Sequence, residues 1–168
     1  MPHVLLVEDE LQLRRIMTLN LTHGGYSVAE ADSVELAFDM ILAAREVGFP
    51  FDLIVIETHL PDRSGWDLLS MLRSALTPAD KPPMDPTPIV VISPISVSSS
   101  RLAEFAPAAA LLKPFPIEAL LRLIARAQRP DFGLGLSDHS SLQRVSAHVA
   151  HATSNGGAHL ERHGVETP

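Results

Sequence analysis

The chain has 168 residues, of which 46% are hydrophobic, so it can bury one ordinary core but hardly two. It contains no cysteine, which excludes a disulfide framework and a thiolate metal site and favours a reducing compartment. A net charge of -7 disfavours broad affinity for nucleic acid or an anionic membrane. We expect a cytoplasmic protein, because the N-terminus lacks a cationic signal start and no apolar run reaches about 20 residues.

The first half of the chain predicts three strand–helix units, because short apolar runs alternate with segments of helical period. The predicted strands of this half are residues 3–7, 26–30 and 52–56. Four apolar residues of the first helix are expected to face the core: Leu13, Ile16, Met17 and Leu21. Ser33 is placed to cap the second helix, which should end before Gly48, and Leu68, Leu69 and Leu72 mark the third.

The second half predicts two further units after a proline-rich connection. Residues 77–88 hold five prolines, which forbid a helix interior and a central strand and indicate a stiff surface loop. The remaining predicted elements are strands at 89–92 and 109–112, a short helix at 99–105 and a last helix with Ile117, Leu120, Leu121 and Ile124 inward. The alternation completes a (βα)5 pattern, which is typical of a parallel sheet covered on both faces.

The composition changes near residue 130, after which large apolar residues become sparse and Ser, Gly, Ala and His are common. We therefore expect a folded domain over residues 1–129 and a mostly disordered, low-complexity tail over residues 130–168. Leu142, Val145 and Val149 could form one short amphipathic helix at about residues 141–151. The tail has too few apolar anchors for a second core.

Polar side chains gather at the predicted ends of four strands. Glu8 and Asp9 follow the first strand, Glu57 the third, Ser93 the fourth and Lys113 the fifth. In an open parallel sheet these ends meet at one edge, where ligands bind. Crowded carboxylates suit a hard cation such as Mg²⁺, and an ammonium with a hydroxyl suits the oxygens of a phosphoryl group. The pattern predicts a phosphoryl-accepting pocket.

Four segments resemble the receiver domain of two-component response regulators over residues 3 to about 128: VLLVEDE, DLIVIETHLPDRSGWDLL, PIVVIS and LLKPF. The resemblance implies a flavodoxin-like doubly wound sheet with strand order 2-1-3-4-5. It also implies metal ligands at Glu8 and Asp9, a conserved hydroxyl at Ser93 and a phosphate-sensing lysine at Lys113. The bond between Lys113 and Pro114 is expected to be cis, as in that family.

Three positions depart from the family pattern. Glu57 stands where the phosphoacceptor aspartate is expected, and its additional methylene extends the carboxylate by about 1.5 Å toward Ser93 and Lys113. The aromatic switch residue expected three positions before the lysine is replaced by Ala110. Pro94 removes a backbone donor after the conserved hydroxyl. These changes indicate a degenerate receiver, in which Glu57 pairs with Lys113.

The favoured hypothesis is a stand-alone atypical receiver, not an enzyme, that acts through protein contact independently of phosphorylation. An ordinary Mg²⁺-dependent phosphoacceptor module is the alternative, and an adaptor whose tail carries the activity is a third. Mg²⁺ binding at Glu8, Asp9 and Glu57 should be weak or absent. The expected partner is a histidine kinase, a phosphotransfer protein or a downstream regulator, and a homodimer is a further option. No nucleic acid or membrane partner is expected.

A stripe of arginines runs along the predicted last helix, with one more on the short helix before it: Arg122, Arg126, Arg129 and Arg101. The stripe lies near the surface that receivers use for partners and dimers. We interpret it as a solvated face, with an acid-binding surface as the alternative.

Overall fold

The structure, a computed structural model, describes residues 1–76 and 87–128. This part of the chain is built around a five-stranded parallel sheet. The strands are β1 (His3–Val7), β2 (Ser27–Ala31), β3 (Leu53–Glu57), β4 (Ile89–Ser93) and β5 (Ala109–Leu112). Their spatial order is β2-β1-β3-β4-β5, and every neighbouring pair is parallel. The predicted flavodoxin-like (βα)5 fold is confirmed.

Five helices connect or follow the strands: α1 (Leu11–His23), α2 (Val34–Glu46), α3 (Gly65–Leu76), α4 (Ser99–Phe105) and α5 (Ile117–Ala127). Local sequence explains their ends. The Ser33 hydroxyl accepts a hydrogen bond from the Leu36 N–H at 3.4 Å and caps α2, as expected. After α1 the backbone turns at Gly25, whose φ of 87° is a left-handed conformation that glycine adopts without strain.

The core lies on both faces of the three central strands. Four of the five residues of β1, all of β3 and four of the five of β4 are buried, whereas β2 at the sheet edge is largely open. A parallel sheet covered on both faces needs such continuous apolar strands. Trp66, at the start of α3, packs into the same core and contacts Phe105 of α4 through a tilted ring pair with centroids 5.2 Å apart.

Two helix faces differ from the prediction. Ile16 was expected to face inward but is 53% exposed, because the buried column of α1 runs through Met17 and Leu21, and Ile16 lies about 100° away around the helix. In α5 the buried face includes Leu123, while Leu121 is only partly buried. Where apolar residues are adjacent in a helix, the sequence does not determine which of them faces inward. The rotation of the helix about its axis is fixed only when the helix packs against the sheet.

Strand boundaries also shift. β2 and β3 were expected at residues 26–30 and 52–56 but lie one residue later, and β4 extends to Ser93. The backbone ladder continues past the apolar side chains, so Glu57 pairs in register with Ile92. Glu57 is therefore a strand residue held by the sheet, and the loop begins after it.

Two stretches lie outside the described residues. They contain most of the predicted proline-rich loop, at residues 77–86, and the predicted tail, at residues 129–168, with its candidate helix at residues 141–151. Among residues 1–76 and 87–128, no helix has both the length and the apolar character that crossing a membrane requires.

Candidate functional site at the carboxyl edge of the sheet

The carboxyl ends of the strands bring the predicted site residues to one edge. Glu57 is the last residue of β3, and Ser93 is the last of β4 and pairs in register with Leu112. The loop after β3 returns closely over the strand end, since the Gly65 N–H donates to the Thr58 carbonyl at 3.0 Å. A Cβ atom on Gly65 would lie 2.2 Å from the Glu57 carbonyl oxygen, so the loop requires glycine there.

Three carboxylates form an acidic cluster at this edge, defined by Glu8, Asp9 and Glu57. One oxygen from each lies within 4.8 Å of the others. Glu8 is fully buried and Glu57 is 3% exposed, whereas Asp9 faces solvent. Two buried carboxylates need a positive partner, because the desolvation of an uncompensated charge costs several kcal/mol.

Lys113 supplies that partner from the loop after β5. Its ammonium donates to both carboxylate oxygens of Glu8, at 3.0 and 2.9 Å, and to Oε2 of Glu57. An ammonium has three N–H donors, so these contacts use all of them. The Glu57–Lys113 pair expected from the sequence is present, and the cis bond between Lys113 and Pro114 is also as expected. The bidentate contact with Glu8 was not anticipated.

The pKa values reflect this crowding. Burial raises the pKa of Glu8 to about 7, and the nearby charge of Glu57 also raises it, although Lys113 opposes both. Burial alone would lower the pKa of Lys113, but the hydrogen bonds from its ammonium to Glu57 and Glu8 outweigh this effect and raise it. The ammonium of Lys113 therefore stays charged at neutral pH.

The donor set fits a hard divalent cation in its chemistry, because carboxylate oxygens are the ligands that Mg²⁺ prefers. However, Lys113 already bonds three oxygens of the same cluster. A cation at Glu8, Asp9 and Glu57 would have to compete with this internal ammonium.

Ser93 lies in a separate, uncharged part of the site. Its hydroxyl accepts a hydrogen bond from the Thr58 hydroxyl at 3.0 Å and another from the Ile95 N–H at 3.3 Å. Ser93 and Thr58 are each 2% exposed. The sequence predicted that Glu57 would extend toward Ser93, whereas the structure gives Ser93 the partner Thr58, which sequence reasoning had missed. A polar residue directly after Glu57 was the available signal.

A family model described as the response regulator receiver domain matches residues 4–125. The chain belongs to this family. The receiver is 30% identical over 131 residues to the response regulator ArlR of Staphylococcus epidermidis, covering 77% of this chain and 53% of that protein. It is 33% identical over 128 residues to the transcriptional regulatory protein KdpE of Mycobacterium tuberculosis, covering 75% and 50% respectively. The receiver thus spans about half the length of the curated relatives it matches.

Solved structures agree on the fold. The chemotaxis protein CheY4 of Vibrio cholerae superposes with a TM-score of 0.62 at 24% identity, covering 76% of this chain and 98% of that one. At this identity the likeness supports the fold alone. The two curated relatives are named as regulatory proteins rather than enzymes, and receivers of this family serve two-component signalling.

Two further side chains, Arg14 and Asp62, form hydrogen bonds that fix the turns around the site, and neither was predicted from the sequence. Arg14 on α1 donates from Nη1 to the Glu8 carbonyl at 2.5 Å and from Nε to Glu30 at 3.2 Å. It thus ties the turn after β1 to β2. Its position in the first turns of α1, behind the acid pair, was the only sequence signal.

Asp62, in the loop after β3, binds the start of α2. Its two carboxylate oxygens accept hydrogen bonds from the N–H groups of Val34 and Glu35, each at 3.0 Å, so the loop after β3 caps α2. Burial alone would raise the pKa of Asp62, but these backbone donors outweigh it and hold the pKa below its ordinary value. The link joins residues 28 apart in the chain and could not be read locally.

Ala110, expected at the switch position, lies in the middle of β5, pairs in register with Val91 and is only partly buried. Beside the acidic cluster, Asp9, Thr58, His59 and Arg63 help to line an open cavity of about 350 Å³. Of the three cluster residues, the exposed Asp9 lines this cavity.

Proposed function

We propose that this receiver is an atypical variant that signals through protein contact without phosphorylation. The observation that carries the proposal is the ion pair between Glu57, at the position expected for the phosphoacceptor, and Lys113. The family resemblance assigns the lysine at this position to a phosphoryl group. Here its ammonium is bonded to a carboxylate of the chain itself, one methylene longer than the expected aspartate.

The geometry of Glu57 argues against efficient phosphoryl transfer. Catalysis of this reaction depends on positioning, and the attacking oxygen must face the phosphoryl group in line. Glu57 is longer by a methylene and one of its oxygens is bonded to Lys113. All three ammonium donors of Lys113 are engaged, so a phosphoryl oxygen could be received only by breaking one of these bonds.

Mg²⁺ binding is proposed to be weak. The carboxylates of Glu8, Asp9 and Glu57 offer suitable oxygens, but a divalent cation would displace or repel the Lys113 ammonium. When bound, the cation would neutralise charge on a phosphoryl group, and exposed Asp9 would be its most accessible ligand.

The ordinary phosphoacceptor remains the second candidate, supported by the retained Asp9, Ser93 and Lys113. For either candidate the proposed partner is a protein of a two-component system: a histidine kinase, a phosphotransfer protein or a downstream regulator. A homodimer is compatible with both. That the receiver acts as a stand-alone chain stays a prediction, since the curated relatives are about twice as long as the matched region.

Incubation with acetyl phosphate and Mg²⁺, followed by intact mass measurement, tests the proposal. We expect no phosphoryl adduct on the wild-type chain. A Glu57→Asp variant should gain a small fraction of adduct, and Glu57→Asp combined with Pro94→Ala a larger one, because the second change returns the backbone donor. A wild-type adduct that disappears in Glu57→Gln would instead establish the ordinary phosphoacceptor.

A further inference from the structure

The uncharged part of the site connects three segments of the chain. The Thr58 hydroxyl donates to Ser93, the Ile95 N–H donates to the same Ser93 oxygen, and the Lys113 N–H donates to the Ser93 carbonyl at 2.8 Å. Thr58 itself is held by its N–H, which donates to the Ile92 carbonyl at 2.8 Å, and by the contact of its hydroxyl oxygen with Nδ1 of His59 at 2.9 Å, in which the hydroxyl is the acceptor when it donates to Ser93. Ser93 therefore joins the end of β3 to the β4–α4 connection and to the end of β5.

Both acceptor positions of the Ser93 hydroxyl are used in this arrangement. A serine oxygen has two lone pairs, and Thr58 and Ile95 occupy one each. The side chain is 2% exposed, so water cannot readily replace either donor. Both bonds favour the observed orientation of the Ser93 hydroxyl, and one of them joins it to the Ile95 N–H.

We infer that Thr58 is a positioning residue that holds Ser93, and through it the β4–α4 connection, in one conformation without any bound phosphoryl group. The inference deepens the proposed function and rests on it, because a receiver that signals without phosphate needs another fixed partner for this hydroxyl. Thr58 can serve because it lies directly after Glu57 on the same strand end.

A purely packing role for Thr58 makes a different prediction. If Thr58 only fills space, an isosteric valine should preserve the conformation of the β4–α4 connection. If the hydroxyl positions Ser93, valine should release it even though the volume is unchanged, and serine at this position should retain the effect.

Amide hydrogen exchange of the full chain, read at Ile95, tests this. We expect Thr58→Val to accelerate exchange at Ile95 about fivefold, as for the loss of one ordinary hydrogen bond, and Thr58→Ser to stay near wild type. Ser93→Ala should accelerate it at least as much, and the Thr58→Val/Ser93→Ala double variant no more than Ser93→Ala alone. Thr22→Val, on an exposed position of α1, is the matched control and should leave Ile95 unchanged.

Unchanged exchange at Ile95 in Thr58→Val, or a Thr58→Ser variant that behaves like valine, would overturn the inference. Should Thr58→Val fail to fold, Thr58→Ala removes the same hydroxyl donor while leaving Ser93, the acceptor of the Ile95 N–H, in place, and unaltered exchange there would also refute the inference. The acetyl phosphate experiment is read separately. A wild-type adduct would remove the proposed function, whereas only the Ile95 exchange rates decide the role of Thr58.

Discussion

The site has an ionic half and a neutral half that differ in how they are held. In the ionic half, Lys113 joins two buried carboxylates, Glu8 and Glu57, through charge-assisted hydrogen bonds. In the neutral half, Thr58 and Ser93 share one hydroxyl–hydroxyl bond of ordinary strength. Both halves are buried at the same edge of the sheet, but removing one partner is expected to have different consequences in each.

The two halves are expected to contribute differently to the stability of this receiver and to its local conformation. A buried charge without its partner retains its full desolvation cost, so the ionic half is expected to control stability. A buried hydroxyl without its partner costs about 1–3 kcal/mol at most, so the neutral half is expected to control local conformation. Substitutions at Lys113 and Glu57 test this difference, and one at Asp62 gives a reference outside both halves.

The largest effect is expected for Lys113→Met, which removes the ammonium but keeps most of the side-chain volume. Glu8 and Glu57 would then face each other uncompensated, and the free energy of unfolding should fall by about 3 kcal/mol. We place it at the low end for buried pairs because Lys113 keeps 20% side-chain exposure. Urea denaturation at pH 8 measures it. Arg122→Met, on the exposed face of α5, is the control and should change stability by less than about 0.5 kcal/mol.

If Lys113→Met and Arg122→Met lowered the free energy of unfolding equally, the ionic half would not contribute more to stability than an exposed surface residue.

The second largest effect is expected for the coupling free energy between Glu57 and Lys113, measured by a double-mutant cycle of Glu57→Gln and Lys113→Met in urea denaturation. We expect a coupling of about 1–3 kcal/mol, so the double variant loses less than the sum of the singles. The Glu35–Arg63 pair, at 3.7 Å with both side chains more than half exposed, is the matched control and should couple by less than about 0.5 kcal/mol. Glu8 complicates the singles, since removing Glu57 relieves its repulsion and removing Lys113 worsens it.

Additive losses at Glu57 and Lys113, within about 0.3–0.5 kcal/mol, would show that the two groups do not interact. The interpretation of the Glu57–Lys113 pair as a substitute for a lysine–phosphoryl contact would then be abandoned.

The smallest effect is expected outside both halves, at Asp62. Asp62→Ala removes the exposed cap of α2 and should cost about 1 kcal/mol at pH 7. The folded-state pKa of Asp62 lies below its unfolded value, so its stabilising contribution is present above about pH 3.8 and is lost as the pH falls through the folded pKa. The difference between wild type and Asp62→Ala should therefore shrink below pH 3.8. Acid titration of urea unfolding curves checks this, and a difference that grew on acidification would contradict the assignment.

Much of the fold could be predicted, because its signals are local. α4 and β5 lie at their predicted bounds, and the Ser33 cap of α2 is confirmed, since apolar runs, helical spacing and capping residues act within a few positions. Ile16 was assigned to the wrong face because neighbouring apolar residues on α1 left its orientation open. Only packing against the sheet selects which of them is buried.

The residue pattern placed Glu8, Glu57 and Lys113 at the ends of three apolar strand runs, which a parallel topology brings to one edge, and it predicted the Glu57–Lys113 pair. The contacts of Lys113 with Glu8 were found only in the folded structure. Packing of the strands and loops decided the hydrogen-bond partners of Thr58 and Asp62. A hydrogen bond forms only within about 3 Å and in the right direction, so the Thr58 hydroxyl met Ser93, and the Asp62 carboxylate met the start of α2, only in the packed structure.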